Sequence, residues 1–557
     1  MASSKIFILI VFFIKIALIF SQCGTDNLKI NPKILNIESR LKSNIASGNI
    51  SETYTPIKIG YDFTTLGNSN YISSSSLANV KLILQETREE FSKILQIRHK
   101  NIDLTDDVHD IIEGCELDTI GQDYPNFLMK NDLIIFPMFK SFEDGVLAAA
   151  SPCLMSEQHH PYGGVLYINN NIDFSKANTR LYIKNLLFHE ITHILAFHRH
   201  FFSNLHLMRT EGSTSYIVSK KVIAKAKEHF NCTTLTQIPL ENQGGEGSEG
   251  SHWESRYMLG DYMVSPDYPD VAMSDITLAL FDDTGFYKVN YYSGGLFKFG
   301  KSKGCRFFNR KCIEREKATF DEFCDVEEEP KCSSSRALKS SCYLVYYLGS
   351  LPSGYRYFSD TTKGGFRPAD YCPVAYEMHS SNAYYSRHCQ VGTSELSTDF
   401  GETIGKNSFC FMSSLLPNSS KNATTSQIPV CYEVVCDTNN RNIIVKIGSL
   451  NVTCPSEGGN VTNILNYRGT IECPKYKEIC PSSNDSFICN EMFTCFTELA
   501  NRSNYSYETS YYDYEGSEAD IDYNATDEVI NPIRRTDSFN IKINLSLFIF
   551  YFIFLVD

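Results

Sequence analysis

Residues 186–195 read Leu-Leu-Phe-His-Glu-Ile-Thr-His-Ile-Leu and contain the pattern His-Glu-x-x-His. On a helix, residues four apart lie one turn apart on the same face, so His189 and His193 can direct two imidazole nitrogens at one metal ion. Glu190 lies beside them, where it can take a proton from a water molecule activated by that ion. The other face carries apolar side chains for burial against a sheet: Ile183, Leu187, Ile191 and Ile194. The alternative is a buried helix whose two histidines are satisfied by hydrogen bonds.

A catalytic zinc usually has three protein ligands, so the segment requires a third. Where a closely spaced third histidine would stand, six residues after His193, the chain has Arg199, and His198 and His200 flank that position at the wrong offsets. A carboxylate from a later helix would be Glu211 or Glu228, and neither has a convincing context. None of these positions is therefore a good candidate.

The best candidate for the third ligand is His252, in the stretch Gly-Ser-Glu-Gly-Ser-His-Trp at residues 247–253. It lies 252 − 193 = 59 residues after His193, and Met263 follows it eleven residues later. His-Glu-x-x-His, a distant histidine and then a methionine turn together resemble the leishmanolysin family of zinc metallopeptidases, which are metzincins with a long insertion before the last ligand. Further stretches resemble the family in the same order, at residues 224–232, 243–248, 280–287 and 369–374.

The resemblance extends from about residue 57 to 495 and implies an α+β fold. It implies a metzincin-like catalytic domain, with a twisted mixed sheet, helices and a zinc helix, followed by a loop-rich C-terminal domain stapled by disulfides. His189, His193 and His252 would ligate one catalytic Zn²⁺, with Glu190 as general base. Met263 would form the hydrophobic floor of the site without ligating the metal. The strand at residues 145–150 would border the cleft and pair with an extended peptide substrate.

The resemblance also implies two disulfides, Cys115–Cys153 and Cys232–Cys305. The chain departs from the family at Ala196, where a glycine usually turns the chain out of the zinc helix, so either that turn is distorted or the helix continues into Phe197 and His198. The family's pro-segment carries a cysteine that caps the zinc. Cys23 is the one candidate here, beside the expected signal cleavage site, and no recognisable switch motif surrounds it.

The composition indicates an exported protein. The formal net charge of −14 argues against nucleic acid as a partner, because phosphate binding requires a basic surface. Of the 19 cysteines, fifteen lie between Cys305 and Cys495. No Cys-x-x-Cys pair is present among them, so we expect disulfides formed in an oxidising compartment rather than zinc ribbons. If the others pair, Cys23 is the natural odd thiol.

Both ends of the chain favour the secretory pathway. Residues 1–22 resemble a signal peptide, with an N-terminal membrane anchor as the alternative. Residues 543–556 form a short apolar tail with no positive charge after it, which is typical of a GPI-anchor signal, although a spanning helix stays open. Possible attachment residues include Asn524, Ala525 and Ser538. Asn-x-Ser/Thr triplets crowd after residue 400 and indicate glycosylation.

Periodicity predicts the elements of the catalytic half. A long amphipathic helix is expected from Leu77, strands at residues 57–61, 132–139, 145–150 and 164–169, and a second helix over 180–197. The predicted domains are a signal peptide (1–22), a short pro-segment or arm (23–55), an N-terminal catalytic subdomain (56–205), a central subdomain (206–304), a Cys-rich domain (305–497), an acidic tyrosine-rich stalk (498–540) and the hydrophobic tail (541–557).

The sequence thus predicts a zinc metalloendopeptidase that acts on proteins or peptides and is held at the outer face of the plasma membrane, most simply by a GPI anchor. The alternative from another class is a catalytically inactive surface glycoprotein of the same fold, which binds host or extracellular protein ligands in adhesion. Glu190 separates the two, because a non-catalytic descendant would be expected to lose it first. The motif alone also allows a zinc enzyme with a non-peptide substrate, which the family resemblance disfavours.

Overall fold

The computed structural model describes residues 23–480, apart from gaps at 26–27, 38–52, 68–71, 99–103, 122–129, 143–145, 175–179, 244–247, 267, 292–296, 377–386, 395, 423–425 and 438. The predicted signal peptide, stalk and tail lie outside the described residues. Within the described part of the chain, no helix is long and apolar enough to cross a membrane.

Nine α-helices are described: α1 Ser74–Ile94, α2 Val108–Gly114, α3 Arg180–Leu195, α4 Arg199–Asn204, α5 Lys220–Phe230, α6 Ser255–Met258, α7 Asp275–Asp283, α8 Arg306–Asn309 and α9 Tyr476–Ile479. The strands of the first part are β1 Lys33–Leu35, β2 Tyr54–Pro56, β3 Ile59–Tyr61, β4 Leu95–Arg98, β5 Leu133–Lys140, β6 Ala148–Ser156, β7 Pro161–Asn169, β8 Met208–Glu211, β9 Thr214–Ile217, β10 Ile238–Pro239 and β11 Lys288–Val289.

Short strands dominate the rest of the described chain: β12 Ile313–Glu314, β13 Lys317–Ala318, β14 Pro330–Cys332, β15 Lys339–Tyr343, β16 Val345–Tyr346, β17 Lys363–Gly364, β18 Val374–Tyr376, β19 Ser408–Ser413, β20 Leu416–Pro417, β21 Ile428–Asp437, β22 Asn442–Ile447, β23 Leu450–Cys454, β24 Gly459–Val461, β25 Tyr467–Arg468 and β26 Ile471–Cys473.

A five-stranded mixed sheet in the order β1-β6-β7-β5-β3 supports the catalytic half. β6 and β7 are antiparallel and the other neighbours are parallel. Every residue of β6 and β7 is buried, as expected for strands covered on both faces. The predicted strands are confirmed, although β6 begins three residues later than predicted and continues to Ser156.

The two predicted helices pack together on this sheet. α1 begins after Ser73, whose hydroxyl accepts a hydrogen bond from the Ser76 N–H as an N-cap, so the helix starts three residues before the predicted Leu77. Phe91 of α1 stacks on Phe188 of α3, with ring centroids 3.9 Å apart. The four apolar residues predicted to face the sheet from α3 are all buried. A Cβ at Gly164 of β7 would approach Ile194 Cγ2 to 2.4 Å, so glycine allows the helix to lie this close.

The C-terminal part contains more regular structure than the loop-rich reading predicts. Six strands form an antiparallel sheet in the order β23-β22-β21-β19-β26-β24. In β22 every second residue is buried, an alternation that marks one face packed on a core and one face near solvent. The frequent cysteines and polar residues hide this alternation in the sequence.

Eight disulfides join cysteines of the described residues, and they include both pairs implied by the family resemblance, Cys115–Cys153 and Cys232–Cys305. The other six are Cys312–Cys372, Cys324–Cys342, Cys332–Cys410, Cys389–Cys431, Cys436–Cys480 and Cys454–Cys473. Among the described residues Cys23 is the cysteine outside the disulfides, as predicted for the odd cysteine. The largest apolar core is one cluster whose residues come from the chain between Ile57 and Val374. It therefore includes residues on both sides of residue 305, where the cysteine-rich composition begins.

Candidate metal centre

Four potential ligands meet in the interior of the main core. The ligand atoms of Cys23, His189, His193 and His252 all lie within 4.8 Å of one another, and all four residues are buried. His189 Nε2 lies 3.1 Å from His193 Nε2 and 3.2 Å from His252 Nε2. Cys23 Sγ lies 3.3 Å from His193 Nε2. The structure therefore brings together the three predicted histidines and the odd cysteine.

Backbone carbonyl groups fix the orientation of each imidazole ring. Nδ1 of His189 lies 2.6 Å from the Tyr262 carbonyl oxygen, and Nδ1 of His193 lies 2.6 Å from that of Phe197. Nδ1 of His252 lies 3.0 Å from the Ser248 carbonyl oxygen. A carbonyl can only accept, so each Nδ1 carries the proton and each Nε2 presents a lone pair. Three lone pairs at about 3 Å cannot satisfy one another, whereas a metal cation would satisfy all three.

Burial also favours the neutral, metal-binding form of the three rings. Desolvation, with the nearby His252, lowers the pKa of His189 to about 3, and desolvation lowers the pKa of His252 to about 4. The pKa of His193 is lowered well below its ordinary value by desolvation and by the other two rings. Three neutral imidazoles whose ligand atoms lie this close together, with their second nitrogens held by carbonyls, fit zinc better than calcium or magnesium.

Glu190 lies next to this group and is fully buried. Its Oε2 accepts hydrogen bonds from the Thr25 hydroxyl at 3.1 Å and from the Cys23 thiol at 3.5 Å. Its Oε1 has no hydrogen-bond partner among the described residues. Desolvation raises the pKa of Glu190 to about 8, against the opposing effect of donors on Cys23, Thr25 and the Ala150 backbone. Burial under the arm therefore favours the protonated form of this carboxyl group.

An N-terminal arm brings Cys23 to the site along the outer edge of β6. Cys23 bridges Ala148 in parallel, and the Gly24 N–H donates to the Ala148 carbonyl at 3.0 Å. The Thr25 hydroxyl accepts from the Ala150 N–H at 3.2 Å, and β1 then pairs in parallel with the far end of β6. The arm therefore occupies the strand edge that the sequence assigned to a peptide substrate.

α3 ends without the left-handed residue that the family's glycine would supply. α3 stops at Leu195, and Ala196 does not adopt a positive φ. The N–H groups of Ala196 and Phe197 both donate to the Thr192 carbonyl, at 3.0 and 2.9 Å. The helix thus closes on a widened last turn, and α4 starts only after the extended residue His198. This exit lets the Phe197 carbonyl bond His193.

The model of the leishmanolysin family, peptidase family M8, matches residues 78–486. The chain belongs to the leishmanolysin family of metallopeptidases. Leishmanolysin of Leishmania tropica is 28% identical over 369 residues, which cover 63% of this chain and 54% of that protein. A leishmanolysin homolog of Crithidia fasciculata is 29% identical over 376 residues, covering 64% and 56%. A leishmanolysin-like peptidase of Caenorhabditis elegans is 30% identical over 317 residues, covering 49% and 47%. The match thus spans about half the length of these relatives.

The positions rejected as third ligands have other contacts. His198 Nδ1 accepts from the His200 N–H, and His200 Nε2 lies 3.2 Å from His159 Nδ1. The Arg199 guanidinium donates to the Glu249 carbonyl. Glu211 and Glu228 form surface ion pairs with Arg209 and Lys225. These contacts agree with the choice of His252 for the group around the zinc helix.

In this member of the leishmanolysin family, the turn that contains Met263 is hydrogen-bonded to the segment that carries His252. The Trp253 N–H, next to His252, donates to the Met263 carbonyl at 3.0 Å, and the Met263 N–H donates to Asp261 Oδ1 at 2.8 Å. Met263 itself is fully buried. The sequence reading missed Tyr262, whose carbonyl orients His189 and whose hydroxyl lies 3.0 Å from Thr192 Oγ1 on α3.

Thr25 was also missed as a partner of Glu190. It follows the expected signal cleavage site by three residues, and nothing in its own sequence context distinguishes it from an ordinary polar residue. Tyr262 stands directly before Met263, so its position beside the methionine turn was the one available signal.

Proposed function

We propose that the protein is a zinc-dependent endopeptidase of the metzincin type, with His189, His193 and His252 as zinc ligands and Glu190 as general base. The observation that carries this proposal is the convergence of three unprotonated Nε2 atoms beside a buried carboxyl group. Zinc, when bound, supplies the Lewis acidity that polarises a peptide carbonyl and activates water. Protein or peptide substrates follow from membership in a peptidase family.

Glu190 moves the proton in this reaction. Its Oε1, which has no hydrogen-bond partner among the described residues, is the atom available to take a proton from the attacking water and to deliver it to the leaving amine. The edge of β6 would bind the substrate main chain as an added strand, which aligns the scissile bond with the site.

The arm from Cys23 to Ile37 would keep the enzyme latent. Its backbone occupies the β6 edge, and the Cys23 thiol lies where it can add a fourth ligand beside His193. Hydrogen bonds from Cys23 and Thr25 also hold one oxygen of Glu190. Removal of the arm would free the edge, the metal position and the base together.

The test of the function compares Glu190→Gln with the parent sequence, both freed of the arm by proteolysis after Ile37 so that neither the thiol nor the arm's backbone occupies the site. Glutamine has nearly the same shape but cannot shuttle the proton, so hydrolysis of a denatured protein should fall by about 10² to 10⁴. Zinc content, measured by inductively coupled plasma mass spectrometry, should stay at about one ion per chain. Glu211→Gln, at an exposed position, is the matched control and should retain the parental rate.

Near-parental hydrolysis by a zinc-loaded Glu190→Gln protein would overturn the general-base assignment. If the arm-free parent binds zinc and cleaves none of several denatured substrates, the adhesive surface glycoprotein becomes the better reading. Addition of 1,10-phenanthroline separates zinc-dependent cleavage from contaminating peptidases, because only the former should stop.

We also propose that the protein acts at the outer face of the plasma membrane, held by a GPI anchor at its C-terminal tail. Five acceptor asparagines of the glycosylation triplets fall within the described residues and all are exposed, which suits an extracellular surface: Asn231, Asn418, Asn422, Asn451 and Asn460. Phosphatidylinositol-specific phospholipase should release the protein from cells. Retention on the membrane, with the Phe550-containing peptide still present by mass spectrometry, would indicate a spanning tail instead.

A further inference from the structure

A second pair of histidines faces each other outside the site described above. His159 lies in the turn that joins β6 to β7, and His200 lies in the first turn of α4. His159 Nδ1 and His200 Nε2 are 3.2 Å apart, and the ring centroids are 5.2 Å apart. Both side chains are partly exposed, so solvent can reach the two nitrogens.

The separation of these nitrogens is the one expected for two ligands of a single metal ion. Nitrogens bound to a tetrahedral zinc at ~2.0–2.1 Å lie about 3.3 Å apart. The proposed catalytic histidines of the same molecule show the same spacing, with Nε2 atoms 3.1 and 3.2 Å apart. The alternative is a single N–H···N hydrogen bond between two neutral rings, which would use the same two atoms. Titration with a metal ion distinguishes the two.

The backbone holds His159 in an uncommon conformation. Its φ is +63°, in the left-handed region that a non-glycine residue adopts at an energetic cost. The turn around it is fixed by Ser156, whose hydroxyl accepts from the N–H groups of Gln158 and His160, each at 3.2 Å. The side-chain contact that accompanies this strained backbone is the one with His200.

The charged residue next to this pair in sequence is hydrogen-bonded to another segment. Arg199, directly before His200, donates its guanidinium to the Glu249 carbonyl at 2.9 Å. The His198 ring accepts the His200 N–H through its Nδ1.

We propose that His159 and His200 form a second, accessory site for a late first-row divalent ion such as Zn²⁺, Ni²⁺ or Cu²⁺, with water completing the coordination. Such an ion would cross-link the β6–β7 turn to the helix that follows the zinc helix. Imidazole pairs select these metals over Mg²⁺ and Ca²⁺, which prefer oxygen ligands. The site does not depend on the proposed peptidase activity.

The test titrates Ni²⁺ into protein that carries a single equivalent of zinc and no polyhistidine tag, with calorimetry for binding and elemental analysis for both metals. The parent should bind about one Ni²⁺ while its zinc content stays constant. His159→Asn and His200→Gln should each weaken Ni²⁺ binding by at least about tenfold, since even changes outside the ligand shell cost that much. Thermal unfolding should shift upward with Ni²⁺ in the parent and not in these variants.

His206→Asn is the matched control. His206 is an exposed histidine just after α4 and also has a positive φ, +55°. Replacement by asparagine should therefore perturb the backbone at His206 as much as it does at His159. Asparagine tolerates the left-handed region at both positions. Parental Ni²⁺ binding by His206→Asn is expected.

The proposal fails if the zinc-loaded parent takes up no Ni²⁺, or if His159→Asn and His200→Gln bind it like the parent; either result leaves a plain histidine–histidine hydrogen bond. If His159→Asn does not fold, His200→Gln decides alone. Because the readout is the second ion, loss of Ni²⁺ binding with intact zinc and peptidase activity is distinct from failure of the proposed function.

Discussion

The main body (residues 23–376) and the terminal module (residues 387–480) contain similar numbers of disulfides, but their apolar cores differ greatly in size. Four disulfides lie within the main body, three lie within the module, and Cys332–Cys410 joins them. The main body has a large apolar core and a second, smaller one, whereas the module has a small core on one face of its sheet. A small core buries too little apolar surface to be stable alone, so cross-links must supply more of the module's stability.

The apolar burial in the large core stabilises the main body enough to offset the free-energy cost of burying the polar groups of the site. Three imidazoles and the Glu190 carboxyl are buried there, and each loses hydration that only a metal or a few hydrogen bonds replace. The buried polar contacts of the module instead hold its segments together and join it to the main body. Lys339 of the main body pairs with Glu402 of the module at 2.8 Å, and Glu402 also accepts from the Cys431 N–H.

The largest expected effect concerns the site alone. His252→Ala removes one of three lone pairs, so zinc content should fall sharply and peptidase activity by at least about 10²-fold, since the metal contributes several kcal/mol. The disulfides and the module should be unaffected, as judged by hydrogen exchange in β21–β23. His198→Ala is the control and should keep its zinc. Loss of zinc from His198→Ala with retention by His252→Ala would reverse the ligand assignment.

How far the sequence predicts each region follows from the range of the interactions. α3 follows from local periodicity, because its metal face and core face are both written within sixteen residues. His252 lies 59 residues further on, so spacing alone left it as one candidate among several, and the family resemblance favoured it. The approach of Cys23 to β6 depends on strand pairing across more than a hundred residues, which no local pattern encodes.

The module was harder to predict for a different reason. Its strands carry cysteines at buried positions, such as Cys410 opposite Cys431 on neighbouring strands, where an apolar residue would have revealed the alternation. Disulfide pairing in this part could not be deduced, because many connectivities are compatible with the spacings. The His159–His200 pair was invisible because it joins a turn and a helix that are 41 residues apart.

Matched removal of one disulfide from each region sharpens the comparison. By the chain-entropy argument, loops of 38 residues (Cys115–Cys153) and 19 residues (Cys454–Cys473) contribute similar amounts, roughly 3–4 kcal/mol each. All four cysteines are buried. Cys454→Ala with Cys473→Ala should abolish hydrogen-exchange protection in β21–β23, because this amount is a large part of a small module's stability. Cys115→Ala with Cys153→Ala should lower the melting temperature while α3 stays protected and zinc stays bound.

The opposite pattern would break the comparison. If the module keeps its protection without Cys454–Cys473 while the main body loses zinc without Cys115–Cys153, the large core does not give the main body the independence argued above. Equal loss in both would mean that the two regions unfold as one cooperative unit.

The smallest expected effect distinguishes the module by its response to acid. His388 of the module is buried, and desolvation lowers its pKa to about 4. In the unfolded chain its pKa would be about 6.5, so the unfolded state binds a proton at a higher pH than the folded state does. Its contribution to stability is therefore complete above pH 6.5 and is lost as the pH falls towards 4. At pH 4.5 the loss amounts to roughly 2–3 kcal/mol.

His388→Asn tests this directly, because the Asn side-chain oxygen can still accept the Gln390 N–H that His388 Nδ1 accepts at 3.2 Å. The variant should resemble the parent at pH 7, apart from the changed packing, and should lose less stability between pH 7 and pH 4.5. Hydrogen exchange in β19 and β21 reports the module, while exchange in α3 of the same sample reports the main body. An unchanged pH dependence in the variant would show that His388 does not control the acid response of the module. Other buried groups would then control it.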